Sequence, residues 1–290
     1  MVVSNKKEFL DKLKKNGYDE VSTFLVYPNA DANNVIGTGA YASVEMSEEF
    51  VNSDDFVRDI NTDSGIIFIG LNYAQREDGY DGKAFRTMHD SKNKQSKDNN
   101  IAVSLIDMHG ANKTDKSDDV VKYSVSLDQS EAYGSFAFDI INKFACTNLK
   151  GFVGSLVKEL KKNAPAVNTA EDFNMSKVEN GKCDDILSNC TDPEHKEKEP
   201  NKCPSCHPAI LNKLMDRLVK YDIPSFINLI NWTQPKGLIC FGTDSYKLVS
   251  AINDIYHLNL NVQQAIHYSA QRSYYDKRNS VYDAVKNIVK

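Results

Sequence analysis

Three polar residues stand within or just after short strand-like runs. Ile66-Ile67-Phe68-Ile69 ends at Gly70, and Asn72 follows two residues later. Asp139 sits inside Phe136-Ala137-Phe138-Asp139-Ile140-Ile141, and His267 closes the run Leu260 to Ile266. An amide such as Asn72 can hold a water molecule but cannot deprotonate it. A histidine can give or take a proton near neutrality, and a carboxyl does either according to its surroundings. A second group consists of Cys183, Cys190, Cys203 and Cys206, with His195 and His207 nearby. Four thiolates make a closed tetrahedral zinc site with no open position for catalysis. Only Cys203-Pro204-Ser205-Cys206 has the spacing of a metal knuckle, and unmetallated thiols are the competing reading. Cys146 and Cys240 lie in apolar surroundings and read as core.

The elements that must position these residues follow from the pattern around them. The β-branched run at 66–69 reads as a buried parallel strand, and 135–141, 237–241 and the candidate at 260–266 read as further strands of one parallel sheet. Helical spacing recurs between them, at 148–162, at 210–232 with a break at Pro224, at 245–256 and at 275–289. An amphipathic helix is expected at 5–16 and a surface helix at 45–60. Short strands alternating with helices predict a three-layer α/β/α sandwich around a short, mostly parallel central sheet. In such sheets ligands bind outside the carboxyl ends of the strands, where Asn72, Asp139 and His267 fall. The bland alternatives stay open: Gly70-Leu71-Asn72 as a mere turn, and His267 as a buried, satisfied histidine.

The 290 residues carry a net charge of -5, so any nucleic-acid contact must come from a local basic patch and not from the global field. One domain over 1–290 is expected, with an N-terminal helical part at 1–62 and a polar, cysteine-containing insertion at 163–208. That insertion is too polar to hold a shape without a metal or the main body. No apolar run approaches a membrane span and no signal-peptide core follows Met1. A cytoplasmic monomer is therefore expected, with all six cysteines reduced or metal-bound and no membrane partner. The loop from Arg76 to Asn100 is polar and carries Arg86, Lys92, Lys94 and Lys97, with the aromatic Phe85 stranded among them.

Taken together, Gly70-Leu71-Asn72-Tyr73-Ala74, the strand at Phe136 to Ile141, the strand-to-helix segment Leu238 to Tyr246, and His267-Tyr268-Ser269 resemble, in order and spacing, the motifs of the uracil-DNA glycosylase superfamily. The chain departs from that pattern in three places. Tyr73 and Tyr268 stand where relatives carry prolines, Asp139 stands where many carry the base-reading Asn, and the cysteines do not follow the family's iron–sulfur spacing. The resemblance implies hydrolysis of the N-glycosidic bond of uracil or another damaged base in DNA, single-stranded or damaged, as in base-excision repair. Asn72 would position the attacking water and His267 would donate to the base carbonyl as charge develops there. Gly70, Leu71, Tyr73, Phe85, Asp139 and Ser269 would line the base pocket. Arg86, Lys92, Lys94, Lys97, Arg272, Lys277 and Arg278 would meet the DNA phosphates. No cofactor is implied for catalysis, and structural zinc is the one metal expected. The alternative is a catalytically silent module of the same fold that grips nucleic acid or a partner.

Overall fold

The computed structural model describes residues 5–25, 48–72, 131–146, 149–167, 173–193, 200–267 and 274–290. Among them a five-stranded sheet forms the centre: β1 (Ser22–Phe24), β2 (Ile66–Asn72), β3 (Phe136–Ile141), β6 (Gly237–Phe241) and β7 (Asn261–Ala265). The spatial order is β1-β3-β2-β6-β7, with β1 antiparallel to β3 and every other pairing parallel. A second ladder of two residues pairs β4 (Phe144–Ala145) with β5 (Gly181–Lys182). The four parallel strands expected from the sequence are those found.

Helices cover both faces, as the doubly apolar strands β2, β3 and β6 require. Alternate residues Ile67 and Ile69, Phe136 and Phe138, and Leu238 and Cys240 belong to the main core cluster. That face is covered by α1 (Lys6–Lys15), α4 (Val153–Asn163), α6 (Cys206–Arg217), α7 (Ile223–Thr233) and α8 (Thr243–Ile255). The other face carries Phe68 stacked on Phe241 at 5.3 Å between ring centroids, and receives α9 (Tyr274–Val289). Among the described side chains of α9, Val281, Ala284, Val285 and Ile288 are buried. Fully burying a side chain of the Val or Ile kind contributes about 1.5–3 kcal/mol, which holds this helix down.

Local signals explain most element ends. Asn5 caps α1 by accepting from the amides of Lys7 and Glu8, and Gly17 turns the chain out in the left-handed region. The expected helix at 45–60 is instead two short ones, α2 (Glu48–Val51) and α3 (Asp54–Asp59). Ser53 separates them, since its hydroxyl accepts from the amide of Phe56 and starts a new helix. Pro224 was expected to break a helix, but no break occurs. A single π turn over Leu218–Asp222 joins α6 to α7, leaving Pro224 in the first turn of α7, where no amide hydrogen is needed.

The cysteine segment is built into the body. Met175, Val178, Cys183, Cys203 and Cys206 are buried in the main core cluster. Arg217, 8% exposed, is the knot that holds it there. Its guanidinium donates to the carbonyls of Asn142 (Nε at 3.1 Å, and Nη2) and of Glu179 (3.2 Å), so one side chain ties the end of β3 to the insertion. Asp222, fully buried, accepts from the amide of Asn142 at 3.1 Å and lies 3.8 Å from Arg217. Removing the guanidinium leaves the buried carbonyl of Asn142 and the carbonyl of Glu179 without the donors it supplies and, above about pH 7, strands the Asp222 carboxylate as well. At pH 8, Arg217→Met is therefore expected to cost about 3–5 kcal/mol of stability. Urea denaturation measures this, and a loss below about 1 kcal/mol would show that the knot is not structural.

Candidate active site and cysteine centre

Counted along the chain, the four parallel strands lie in the order second, first, third, fourth. After β3 the chain crosses back over β2 to reach β6. A topological switch point therefore lies between the carboxyl ends of β2 and β6, the place where ligands bind in sheets of this kind. Gly70 to Asn72 ends β2 on one side of it, and Gly242 follows β6 on the other.

Asp139 reaches this end of the sheet from β3. Its register partner on β2 is Gly70. A Cβ built on Gly70 would run into Oδ1 of Asp139 and lie 3.1 Å from its Cγ. The carboxyl thus lies across bare backbone, in space that any other residue at position 70 would fill. Asp139 is 7% exposed, and burial pushes its pKa from the ordinary 3.8 up to about 7. Asn142 fixes the strand end by donating from Nδ2 to the carbonyl of Asp139 at 2.5 Å. Leu71 packs against the main core cluster, on the opposite side of the sheet from Asp139, because side chains alternate along a strand. A lining role for its side chain on the Asp139 face is lost by that alternation. Asn72 closes β2 with its backbone in register with Ile141.

His267 stands two residues past β7, half-buried against the β6–α8 turn. Gly242 makes that turn with φ +87°, and its amide donates to the carbonyl of Ala265 at 2.8 Å. A Cβ at Gly242 would sit 3.1 Å from the Cβ of His267 and 3.2 Å from its Cδ2. Glycine is needed there both for its conformation and for the approach of the imidazole. Because Gly242 turns the chain so sharply, α8 already begins at Thr243 rather than at the expected Ser245. Asp139 and His267 are separated by three strand spacings, roughly 14 Å, with the switch point between them.

A cleft of about 680 Å³ opens beside His267, lined also by Thr243, Gln264, Asp276, Asn279 and Asp283. No lysine or arginine is among its described lining. Its α9 residues were legible as a pattern, since Asp276, Asn279 and Asp283 recur at i, i+3 and i+7 on one face of the last helix. Comparison with protein-family models, with curated proteins and with solved structures finds no match to this chain. The reading of the site therefore rests on its geometry and on the residues named.

Several expected site residues, Tyr73, Phe85, Arg86, Lys92, Lys94, Lys97, Ser269 and Arg272, lie outside the described residues. Lys277 and Arg278 belong to the first turns of α9.

The cysteines divide differently from expectation. The sulfurs of Cys190, Cys203 and Cys206 all lie within 4.8 Å of one another and could hold a metal ion. Cys190 and Cys203 are 3.7 Å apart, and the amide of Cys206 donates to the sulfur of Cys203 at 3.4 Å. Burial, reinforced by the neighbouring sulfurs, pushes the Cys206 thiol up to about 12. Cys183, expected as the fourth ligand, is instead disulfide-bonded to Cys146. The expectation that all six cysteines are reduced or metal-bound is corrected with it. The cause is the small ladder: Phe144 pairs with Gly181 and Ala145 with Lys182, so the next residues along, Cys146 and Cys183, arrive 5.1 Å apart at Cα. That ladder joins two segments too short to be recognised as strands. Cys146 is half-buried, whereas Cys240, on β6, is fully buried as expected, and burial raises its thiol pKa.

The raised pKa of Asp139 has a definite sign in stability. Between about pH 4 and pH 7 the folded protein holds a proton that the unfolded chain has released, so stability falls as pH rises through that window and levels off above it. A move from 3.8 to about 7 corresponds to roughly 4 kcal/mol. Asp222, also raised to about 7 by burial, adds a similar slope. Asp139→Asn should match the wild type near pH 4, exceed it in stability at pH 8, and keep only the Asp222 part of the slope. Urea midpoints across pH 4–8 test this, and an unchanged slope in the variant would refute the assignment.

Proposed function

We propose that the protein is a DNA glycosylase that hydrolyses the N-glycosidic bond of uracil or another damaged base. The observation that carries this reading is that Gly70-Leu71-Asn72, Asp139 and His267 all stand at the carboxyl end of the sheet, on the two sides of one switch point. A base cannot be reached within the duplex, so it must leave the stack and enter the site. As the bond breaks, positive charge builds on the sugar and negative charge on the base. His267 donates to a base carbonyl and stabilises that charge more than the ground state. Asn72 orients the water that attacks the sugar cation, which needs position more than a strong base. Asp139, protonated by burial up to about pH 7, donates a hydrogen bond to a base carbonyl as an Asn would. Arg86, Lys92, Lys94, Lys97, Arg272, Lys277 and Arg278 supply the phosphate contacts, so binding weakens steeply with salt. Cys190, Cys203 and Cys206 hold a structural zinc that braces the insertion.

A silent nucleic-acid- or partner-binding module of the same fold is the second reading. It is favoured by Asp276 and Asp283 in the cleft beside His267, which would repel a phosphate. Incubation with uracil-, hypoxanthine- and oxidised-base oligonucleotides, single- and double-stranded, followed by alkaline cleavage, separates the two. Asn72→Ala and His267→Ala should each cut base release by at least about 100-fold while leaving the fold intact. Asp139→Asn should retain or raise release from uracil and lessen its decline above pH 7. Release that survives both alanine substitutions would falsify the active-site assignment. DNA binding without release from any substrate would select the silent module.

A further inference from the structure

Three sulfurs make an incomplete site for zinc, which in structural centres takes four protein ligands. The neighbouring groups that could complete it are largely committed. The ring of His207 stacks on Phe152 at 5.3 Å between centroids, with Nε2 3.4 Å from the hydroxyl of Ser155. The carboxylate of Asp192 accepts from Ser205 at 2.7 Å. Cys183 is different. It precedes α5 (Asp184–Ser188), and Cys190 follows the same helix. α5 also packs against α6, whose first residue is Cys206. Cys183, Cys203 and Cys206 are each no more than 1% exposed and belong to one buried cluster. A helix of five residues is only about 7.5 Å long, so Cys183 and Cys190 stand at its two ends, roughly 10 Å apart along the chain. The Cys183 sulfur is withheld by the bond to Cys146.

We propose that Cys183 is an exchangeable ligand: bonded to Cys146 under oxidising conditions, and the fourth zinc ligand beside Cys190, Cys203 and Cys206 under reducing ones. The inference rests on the zinc reading above. The chemistry balances with a dithiol as reductant. Its thiolate attacks the Cys146–Cys183 bond, two electrons pass to the protein sulfurs, and the dithiol closes into its own disulfide. Cys146 and Cys183 are released as thiols. Cys183, once released, would give its proton to solvent and serve as the fourth thiolate of a zinc centre beside Cys190, Cys203 and Cys206. The segment is thereby braced in two alternative ways, by a covalent bond to the residue after β4 or by a closed metal centre.

The test is zinc affinity of the full chain, measured by competition with a chromogenic chelator, in the presence and absence of a dithiol. Peptide mapping confirms the state of Cys146–Cys183 in each sample. Wild type should bind one zinc at least tenfold more tightly when reduced. Cys146→Ser should bind tightly with or without dithiol, since Cys183 is always released. Cys183→Ser should bind weakly in both and respond to neither. His195→Ala, in the same segment, should behave as wild type. Circular dichroism identifies any variant that fails to fold, and Cys146→Ala then replaces Cys146→Ser. Stoichiometric zinc with equal affinity in the two redox states overturns the exchange while leaving the zinc centre standing. So does loss of affinity in His195→Ala but not in Cys183→Ser. No zinc under either condition, with the three thiols of the trio freely reactive, removes the zinc centre itself.

Discussion

A carboxyl group buried over bare backbone is the constraint around which this sheet is built. Asp139 occupies an inward position on a central strand, where an ionised side chain would be too costly to keep. The arrangement is possible because its register partner is Gly70 and no side chain competes for the space. Any residue larger than glycine at position 70 displaces the carboxyl, and any shift of β2 against β3 brings a bulky neighbour, Ile69 or Leu71, opposite it. Register, glycine and carboxyl therefore determine one another. The proton that burial leaves on Asp139 up to about pH 7 is part of the same arrangement, because the neutral form is the one such a place accommodates.

The strand end carrying Asp139 is held from behind. Asn142 bonds back to the Asp139 carbonyl, Asp222 receives the Asn142 amide, and Arg217 binds the Asn142 carbonyl. Arg217 also reaches the carbonyl of Glu179 in the cysteine segment. The insertion and the site are thus mechanically joined through one guanidinium, whose fork of donors serves several carbonyls at once. A π turn lies at Leu218–Asp222, where Asp222 must face the end of β3 while Pro224 enters the next helix. An extra residue in one turn lets both requirements be met without breaking the helix.

The parallel sheet was legible because β2, β3 and β6 are apolar on both faces, so each run announced itself without reference to its neighbours, whereas β7, an edge strand with Asn261 and Gln264 exposed, was read from its place between the last two helices. The ends of those runs gave Asn72, Asp139 and His267 as well. What the pattern could not show was pairing between distant short pieces. The β4–β5 ladder is two residues long, too short for periodicity, and it alone decides that Cys183 meets Cys146 and not the other three thiols. The Arg217 knot was hidden for a similar reason, since its acceptors are backbone carbonyls that leave no trace in residue type. The split of the helix at Ser53 was within reach, because a serine two residues after an apolar pair is a good N-cap. The cleft at His267 was partly legible from the helical repeat of Asp276, Asn279 and Asp283.

Charge then bears on the proposed chemistry. In the described parts of the cleft the ionisable groups are a histidine and carboxyls. On the glycosylase reading the departing base becomes anionic while the sugar becomes cationic, so the protonation state of Asp139 matters in the transition state. An ionised carboxylate about 4 Å from the departing base would oppose its release by roughly 4 kcal/mol at an effective dielectric of 20. A protonated one reverses the sign, by donating a hydrogen bond to the atom that gains charge. On that reading, the burial that makes Asp139 expensive for the fold is also what keeps it in the form the reaction would use. An Asn offers the same donor at every pH, whereas Asp confines the donor to conditions below about pH 7. On the glycosylase reading, an Asp where many uracil-DNA glycosylases carry an Asn would set a pH limit on base release without abolishing recognition of a base carbonyl.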